Sequence, residues 1–170
     1  MKRLIYQVCL GEQYKSKLYS HCIQSVADYC EKHDIEHYVL RTPKLRIKPD
    51  PFSGNRSTDS YMKHGGYLPI YEKENAFSYI DSFDQIAIID ADIYIRPDAD
   101  NIFEEFGTDH AFGAVAEREM NIQDWYKGKI KNYSAMQYRH LHSSGQGDFV
   151  PNELGYEFLF CTFWIVFHYI

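Results

Sequence analysis

The sequence has no apolar run long enough to cross a lipid bilayer, and it has no excess of basic residues. Its most apolar stretch, Phe158 to Ile170, is shorter than the roughly 20 residues that a membrane-spanning helix needs. The apolar run at Leu4 to Leu10 is short and is interrupted by Gln7, so we expect no signal peptide. Lys and Arg total 18 against 24 Asp and Glu, and this acidic balance disfavours a nucleic-acid-binding protein.

The sequence also lacks the cysteine spacing of a zinc site. Its four cysteines stand at positions 9, 22, 30 and 161, and no two of them form a CxxC pair. Scattered thiols are typical of proteins from a reducing compartment, which predicts a cytoplasmic location. No GxSxG, HExxH or GxxxxGKS motif occurs, so the enzyme classes that carry those motifs are not indicated.

What the sequence does contain is the composition of a globular domain. Hydrophobic residues make up 45% and charged residues 25%, which excludes a disordered chain, a collagen-like fibre and a coiled coil. A length of 170 residues allows one domain with a sizeable core. Aromatic residues are frequent at 16%, and tyrosines in such number line sites for polar ligands or fill half-buried surface.

The order of apolar patterns predicts an α/β fold. Leu4 to Leu10 is rich in strand formers, Lys17 to Lys32 has apolar residues at helical spacing, and His37 to Leu40 is a short apolar run. A strand, a helix and a strand in this order predict a parallel βαβ unit. The later patterns predict a helix at Pro69 to Phe83 with Ile70, Ala76, Phe77 and Ile80 on its apolar side, strands at Gln85 to Ile89 and Ala111 to Ala116, a short helix at Asn101 to Phe106, and a strand or helix at Phe158 to Ile170.

One segment is predicted to be a loop and is unusually basic. Arg41 to Ser60 contains three prolines together with five Lys or Arg residues at positions 41, 44, 46, 48 and 56. Two interpretations stay open for it: a solvated connection, or a segment whose charge meets an anionic ligand.

The sequence Asp90-Ala91-Asp92 is the main candidate for chemistry. It directly follows the apolar strand at Gln85 to Ile89, and in open α/β sheets ligands bind at the carboxyl ends of strands. Carboxylates suit a hard cation such as Mg²⁺ or Mn²⁺, which in turn bridges to phosphate oxygens. The alternative is that one aspartate caps a turn and the other is solvated. A second copy, Asp98-Ala99-Asp100, precedes a helix, and we expect Asp100 to be that helix's N-cap.

The stretch DQIAIIDADIYIRPDADNIFEEF, residues 84–106, resembles the core of GT-A fold glycosyltransferases, in particular glycosyltransferase family 8 and its relatives. The helix that includes Ser25 to Asp34, between the first two strands, is also similar, and the resemblance extends over about Leu4 to Trp125. It implies a single Rossmann-like GT-A domain over residues 1–170, with a mostly parallel sheet flanked by helices.

The resemblance also implies a function and a site. The function is transfer of a sugar, with retention, from a UDP-sugar donor whose diphosphate binds Mn²⁺ or Mg²⁺. Asp92 would ligate the metal, and Asp90 would contact the metal or the ribose. Lys73, at a matching distance before the acidic motif, would be the basic catalytic residue near the donor, or else a surface lysine. The implied donor-binding residues are Gln7, Cys9, Gly11, Tyr14, Lys73, Asp90, Ala91 and Asp92.

The C-terminal part departs from the family pattern. The family's later HxxGxxKPW motif, whose histidine completes the metal site, does not occur, and His140 and His142 are the nearby alternatives. The domain is therefore expected to be incomplete at this end, and the apolar tail at Phe158 to Ile170 to leave an open sheet edge through which the chain self-associates. Two other functions stay open: a donor-binding domain without turnover, and a sugar nucleotidyltransferase, although no Gly-rich basic loop follows the first strand.

Overall fold

A computed structural model describes residues 1–45, 62, 65, 69–109, 112–114, 123–128 and 164–168 of the protein. Over these residues the chain forms strands β1 (Arg3–Val8), β2 (Glu36–Leu40), β3 (Gln85–Asp90), β4 (Phe112–Ala114) and β5 (Trp164–His168), helices α1 (Lys17–Lys32) and α2 (Ile102–Phe106), and 3-10 helices at Gly11–Lys15 and Pro69–Tyr79. Residues 124–128 are also helical. Most of the basic loop, both histidines of the 140–142 pair and residues 158–163 lie outside the described part.

The fold is α/β, with a small open sheet whose first three strands are parallel. The strand order is β2-β1-β3-β5-β4. β1 pairs in parallel with β2 on one side and with β3 on the other, which confirms the predicted parallel βαβ unit. β3 then pairs with β5 in the antiparallel direction. The carboxyl ends of β1, β2 and β3 therefore meet at one edge of the sheet.

Each face of the parallel strands is covered by helical structure. Alternate residues of a strand point to opposite faces. Ile5 of β1 and Ile89 of β3 pack in one cluster with Val26 of α1 and Phe103 of α2. The opposite face holds a second cluster with Ala76 of the 3-10 helix Pro69–Tyr79, whose strand residues are Leu4, Tyr6, Leu40, Ile86 and Ile88. The site residues described below are thus approached by α1 from one face and by the 3-10 helix from the other.

Helix α1 has the bounds predicted from its apolar spacing, whereas the segment at Pro69–Tyr79 is a different kind of helix and buries a different face from the one predicted. It is a 3-10 helix, with three residues per turn in place of 3.6. Its buried residues are Glu72, Asn75 and Ala76, whereas Ile70 and Phe77 are exposed. The predicted apolar side is therefore wrong at these two positions, because the tighter helical period aligns residues 72 and 75 along one face.

Two further expectations are corrected. The alternating pattern of Ile93 to Ile95 stands where the resembled family has a short apolar strand, but these residues form no strand and belong to an irregular connection that runs from β3 to α2. Trp164–His168 of the apolar tail forms a strand, as one of the two predictions had it, but that strand lies between β3 and β4. The tail was expected at an open edge of the sheet, and over these five residues that is wrong. Self-association through the tail stays a prediction.

The chain divides into two compact units. One contains Met1–Gly113 together with Phe163–Ile170, and the other contains Ala114–Thr162. In the second unit, the described residues 123–128 include one helical turn, in which the amides of Tyr126 and Lys127 both donate to the Gln123 carbonyl. Across the described part of the chain, no helix is both long enough and apolar enough to span a membrane. All residues of the candidate site that the structure describes belong to the first unit.

Candidate functional site

The candidate site lies where β1, β2 and β3 end. The strand register places Val8 at the end of β1 opposite both Leu40 of β2 and Asp90 of β3. The amide of Cys9 extends this alignment by donating to the Leu40 carbonyl at 2.9 Å. Asp90 thus stands at the carboxyl end of a strand whose other residues, from Gln85 to Ile89, are all buried. This is the edge at which parallel α/β sheets bind ligands.

Lys73 and Asp90 form an ion pair at this edge. The ammonium group of Lys73 contacts Oδ1 of Asp90, and the two side chains are 28% and 25% exposed. Lys73 comes from the 3-10 helix on one face of the sheet, and Asp90 comes from the central strand. This contact places Lys73 beside the acidic motif, and its role toward a nucleotide-sugar donor stays a prediction. Partial burial makes the pair stronger than a fully solvated one, because fewer water molecules screen the two charges.

A buried polar chain holds the backbone of Asp90. The Gln7 side chain is fully buried, and its Nε2 donates to the Asp90 carbonyl at 3.1 Å. Gln7 Oε1 lies 2.8 Å from Nε2 of His37, and because a carbonyl oxygen only accepts, this imidazole nitrogen carries the proton. Burial, together with the positive charge of Arg41, lowers the pKa of His37. A neutral imidazole and an amide therefore link β2, β1 and β3 at the level of the site.

The Asp92 end of the motif is fixed by α1. The thiol of Cys22 donates to the Asp92 carbonyl at 3.4 Å, and the hydroxyl of Ser25 accepts from the amide of Ile95 at 3.0 Å. The Asp92 side chain itself is exposed. Burial and the nearby Asp92 carboxylate raise the pKa of Cys22, so the thiol stays protonated and remains a donor. Helix α1 therefore holds the backbone of the connection after β3, while the carboxylate of Asp92 faces solvent.

Tyr19 is a residue of this site that the sequence analysis did not identify. It packs against a small buried cluster of Cys9, Ile23 and Ala91. Burial raises the pKa of Tyr19, and the negative charges of Asp92 and Asp90 raise it further. Its signal in the sequence was its spacing, because Tyr19 stands three residues before Cys22 on the buried stripe of α1.

The other predicted donor-binding residues lie beside this centre. Cys9 and Ala91 are buried in the cluster beneath Tyr19. Gly11 has a φ of 61°, a left-handed conformation that favours glycine, and it opens the 3-10 helix that follows β1. Tyr14, in the same 3-10 helix, is 45% exposed, and the Arg41 guanidinium lies 5.4 Å from its ring centroid. The structure thus joins Gln7, Lys73 and Asp90 directly and places Gly11 and Tyr14 on the segment just after β1.

The second acidic copy has a structural role, but not through the predicted residue. Asp98 pairs with Arg96 at the surface, at 2.6 Å. The N-cap of α2 is Asn101, whose side chain accepts from the amide of Phe103 at 3.1 Å. The prediction that Asp100 is the N-cap is therefore wrong by one residue. Asp100 contributes its carbonyl, which accepts from the Tyr29 hydroxyl at 2.7 Å.

The donor set at this edge fits a hard divalent cation. Asp90 and Asp92 offer carboxylate oxygens, the ligands that Mg²⁺ and Mn²⁺ prefer, and Mg²⁺ usually binds one or two carboxylates plus phosphate oxygens and water. Within the described ranges, no group of three or more His, Cys, Asp or Glu residues gathers as a ready-made metal site. Further protein ligands such as His140 and His142, considered from the sequence, lie outside those ranges.

Comparison with known proteins adds no relative from which a function could be transferred. No protein-family model matches the chain, and searches of curated proteins and of solved structures give no significant match.

Proposed function

We propose that the protein is a metal-dependent glycosyltransferase of the GT-A type that takes a UDP-sugar as its donor. The observation that carries this proposal is the position of Asp90. This residue ends a central parallel strand, pairs with Lys73 and is followed two residues later by the exposed carboxylate of Asp92. Two carboxylates and one ammonium group at this edge suit a divalent cation together with a diphosphate.

Each residue of the site has a distinct role in this proposal. Asp90 and Asp92 would hold Mn²⁺ or Mg²⁺, which would offset the negative charge that builds on the departing nucleoside diphosphate. Lys73 exchanges its contact with Asp90 for a phosphate oxygen of the donor and so supplies a second positive charge. Gln7 keeps the Asp90 backbone in place while this exchange occurs, because its amide donates to a carbonyl and does not occupy the carboxylate.

The segment after β1 is the proposed contact for the nucleotide base. Gly11 turns the chain, and the exposed ring of Tyr14 presents a face that is suited to stacking. The guanidinium of Arg41 already lies over that ring, and its charge is available to the phosphates of a bound donor. The sugar acceptor is not identified by these contacts.

Calorimetric titration with UDP in the presence of MnCl₂ tests the proposal. The wild-type protein is expected to bind UDP in Mn²⁺ and much more weakly in EDTA. Asp92→Asn is expected to remove most of the Mn²⁺-dependent binding, because a neutral amide is a poorer ligand for a hard cation. Asp100→Asn is the matched control, since the Asp100 side chain is exposed and the helix cap is Asn101. Equal losses in both variants, or no UDP binding by the wild type, would contradict the proposal.

Donor turnover separates the alternative functions. A transferase slowly hydrolyses its UDP-sugar in Mn²⁺ and releases UDP, whereas a donor-binding domain binds UDP without releasing it from a UDP-sugar. A sugar nucleotidyltransferase instead consumes a nucleoside triphosphate and a sugar phosphate and releases pyrophosphate. Two assays distinguish all three: a panel of UDP-sugars assayed for released UDP, and mixtures of UTP with sugar 1-phosphates assayed for released pyrophosphate.

A further inference from the structure

A buried carboxylate lies next to Lys73 in sequence. Glu72 is 3% exposed, and in the described part of the chain it is the one acidic or basic residue that is fully buried. Its Oε2 accepts from the backbone amides of Lys44 and Leu45 at 2.9 and 3.2 Å, and from the side-chain amide of Asn75 at 2.6 Å. A buried charge is costly unless hydrogen bonds compensate it. Three donors on one oxygen provide that compensation.

These contacts tie the 3-10 helix to the chain that leaves β2. Lys44 contributes twice, because its ammonium group also lies 5.2 Å from the ring centroid of Tyr38 in β2 and 5.8 Å from that of Tyr79. Tyr79 ends the 3-10 helix, so the helix is attached near its start through Glu72 and at its end through Tyr79. The hydroxyl of Tyr6 in β1 adds a bond to the Glu72 carbonyl at 3.3 Å.

The same contacts fix the direction of Lys73. In a 3-10 helix each residue is rotated about 120° from the one before it. Once the Glu72 carboxylate is held against residues 44–45, the next side chain has a fixed direction, and it is the one that meets Asp90. An unsatisfied Glu72 would leave the buried face or draw in water, and the helix would no longer present Lys73 in one orientation.

We propose that Glu72 is a positioning residue that holds Lys73 at the metal and diphosphate site by anchoring the 3-10 helix to residues 44–45. This inference rests on the proposed function, since it assigns Lys73 to the donor. It also connects the site to the start of the basic segment at Arg41 to Ser60, because the anchoring amides belong to that segment.

A double-mutant cycle tests whether Glu72 acts through Lys73. The affinity for UDP in MnCl₂ is measured by calorimetry for the wild type, Glu72→Gln, Lys73→Met and the double variant. Glu72→Gln is expected to weaken UDP binding about tenfold, because the neutral amide oxygen holds the three donors less strongly than a charged carboxylate oxygen does. In the Lys73→Met background the same substitution is expected to change the affinity less than about twofold, because coupled residues are not additive.

Ser78→Ala is the control for general destabilisation of the helix. Its hydroxyl donates to the Asn75 carbonyl at 2.7 Å and makes no described bond to residues 44–45. This variant is expected to lower the melting temperature while keeping the wild-type UDP affinity. If Glu72→Gln does not fold, Asn75→Ala removes one donor from the same carboxylate, and a smaller loss of UDP affinity is expected that again vanishes in the Lys73→Met background.

The outcomes separate this inference from the proposed function. Absence of UDP binding by the wild type overturns both. Binding by the wild type, combined with an equal loss from Glu72→Gln in both backgrounds, overturns the positioning role alone. An unchanged UDP affinity in folded Glu72→Gln also overturns it. Strong coupling between residues 72 and 73, with an unaffected Ser78→Ala variant, supports it.

Discussion

At the scale of the residue, the ion pair between Lys73 and Asp90 leads to two opposite expectations for one substitution. Lys73→Met frees the Asp90 carboxylate from its cation, so the affinity for Mn²⁺ alone is expected to rise about fivefold, equivalent to about 1 kcal/mol for one ion pair. The affinity for UDP in saturating Mn²⁺ is expected to fall, because the diphosphate loses a positive charge. Calorimetry with MnCl₂ and then with UDP measures both.

Lys73→Arg is the control for that substitution. It keeps a positive charge beside Asp90, so Mn²⁺ alone is expected to bind it with nearly the wild-type affinity. If Lys73→Met bound Mn²⁺ alone more weakly than the wild type, Lys73 would not compete with the cation, and the exchange described above would be wrong.

A second prediction at the residue scale concerns His37 and pH. Because burial and Arg41 lower its pKa from the ordinary 6.5, the folded state binds fewer protons than the unfolded state below that pH. The stability due to the neutral imidazole is therefore fully present above pH 6.5 and is lost as the pH falls through the interval down to the lowered pKa. Urea denaturation at a series of pH values is expected to show this decline.

The histidine origin of that decline is checked by substitution. In His37→Asn the free energy of unfolding is expected to be lower at neutral pH, because the bond to Gln7 is weakened, and flatter between pH 7 and 5. A decline of the same steepness in His37→Asn would mean that other groups cause the pH dependence.

At the scale of the element, α2 shows how a short helix is stabilised from outside. The hydroxyl of Tyr29 in α1 accepts from the amide of Ile102, and the side chain of Asn101 accepts from that of Phe103. Asn101→Ala is expected to reduce the free energy of unfolding by about 1 kcal/mol, since alanine offers no capping oxygen. Asn101→Asp keeps that oxygen and is expected to stay close to the wild type. Chemical denaturation of both variants tests the cap.

The elements also show what could be predicted from sequence. Apolar spacing predicted the correct bounds of α1, because this helix has one apolar face. Strand composition predicted β1, β2 and β3 to within one or two residues, because each is a short run of strand-forming residues. The burial of Glu72 could not be predicted, because it depends on a 3-10 period and on the amides of residues 44–45, which are distant in sequence. Local patterns do not encode such partners.

The residues of the candidate site also differ in whether the sequence alone could point to them. Asp90 and Asp92 could be proposed from the sequence because a strand and a motif are local signals, and Lys73 was added to them through a family resemblance. The link from Gln7 to His37 was missed because it joins two strands whose register only the folded sheet defines. Tyr19 was not among the apolar residues that predicted α1, and nothing in the local sequence distinguishes it from the other tyrosines.

At the scale of the whole molecule, β5 completes one side of β3. The register pairs Ile89 with Trp164 and Gln85 with His168. A chain ending at residue 163 would leave β3 with an open edge, and each lost backbone hydrogen bond costs about 1 kcal/mol against a total stability of about 5–15 kcal/mol. We expect this truncation to unfold or aggregate. A chain ending at residue 168 keeps β5 and is expected to elute like the full chain in size-exclusion chromatography with light scattering.

The hydrogen bonds from His37 through Gln7 to the Asp90 carbonyl span three strands and end at the proposed metal site. We expect the imidazole at the far end of this path to respond to small movements of the Asp90 backbone without touching a ligand. In an NMR titration with UDP and Mg²⁺, a diamagnetic cation, the ring resonances of His37 are expected to shift with occupancy and so to report binding from the other side of β1.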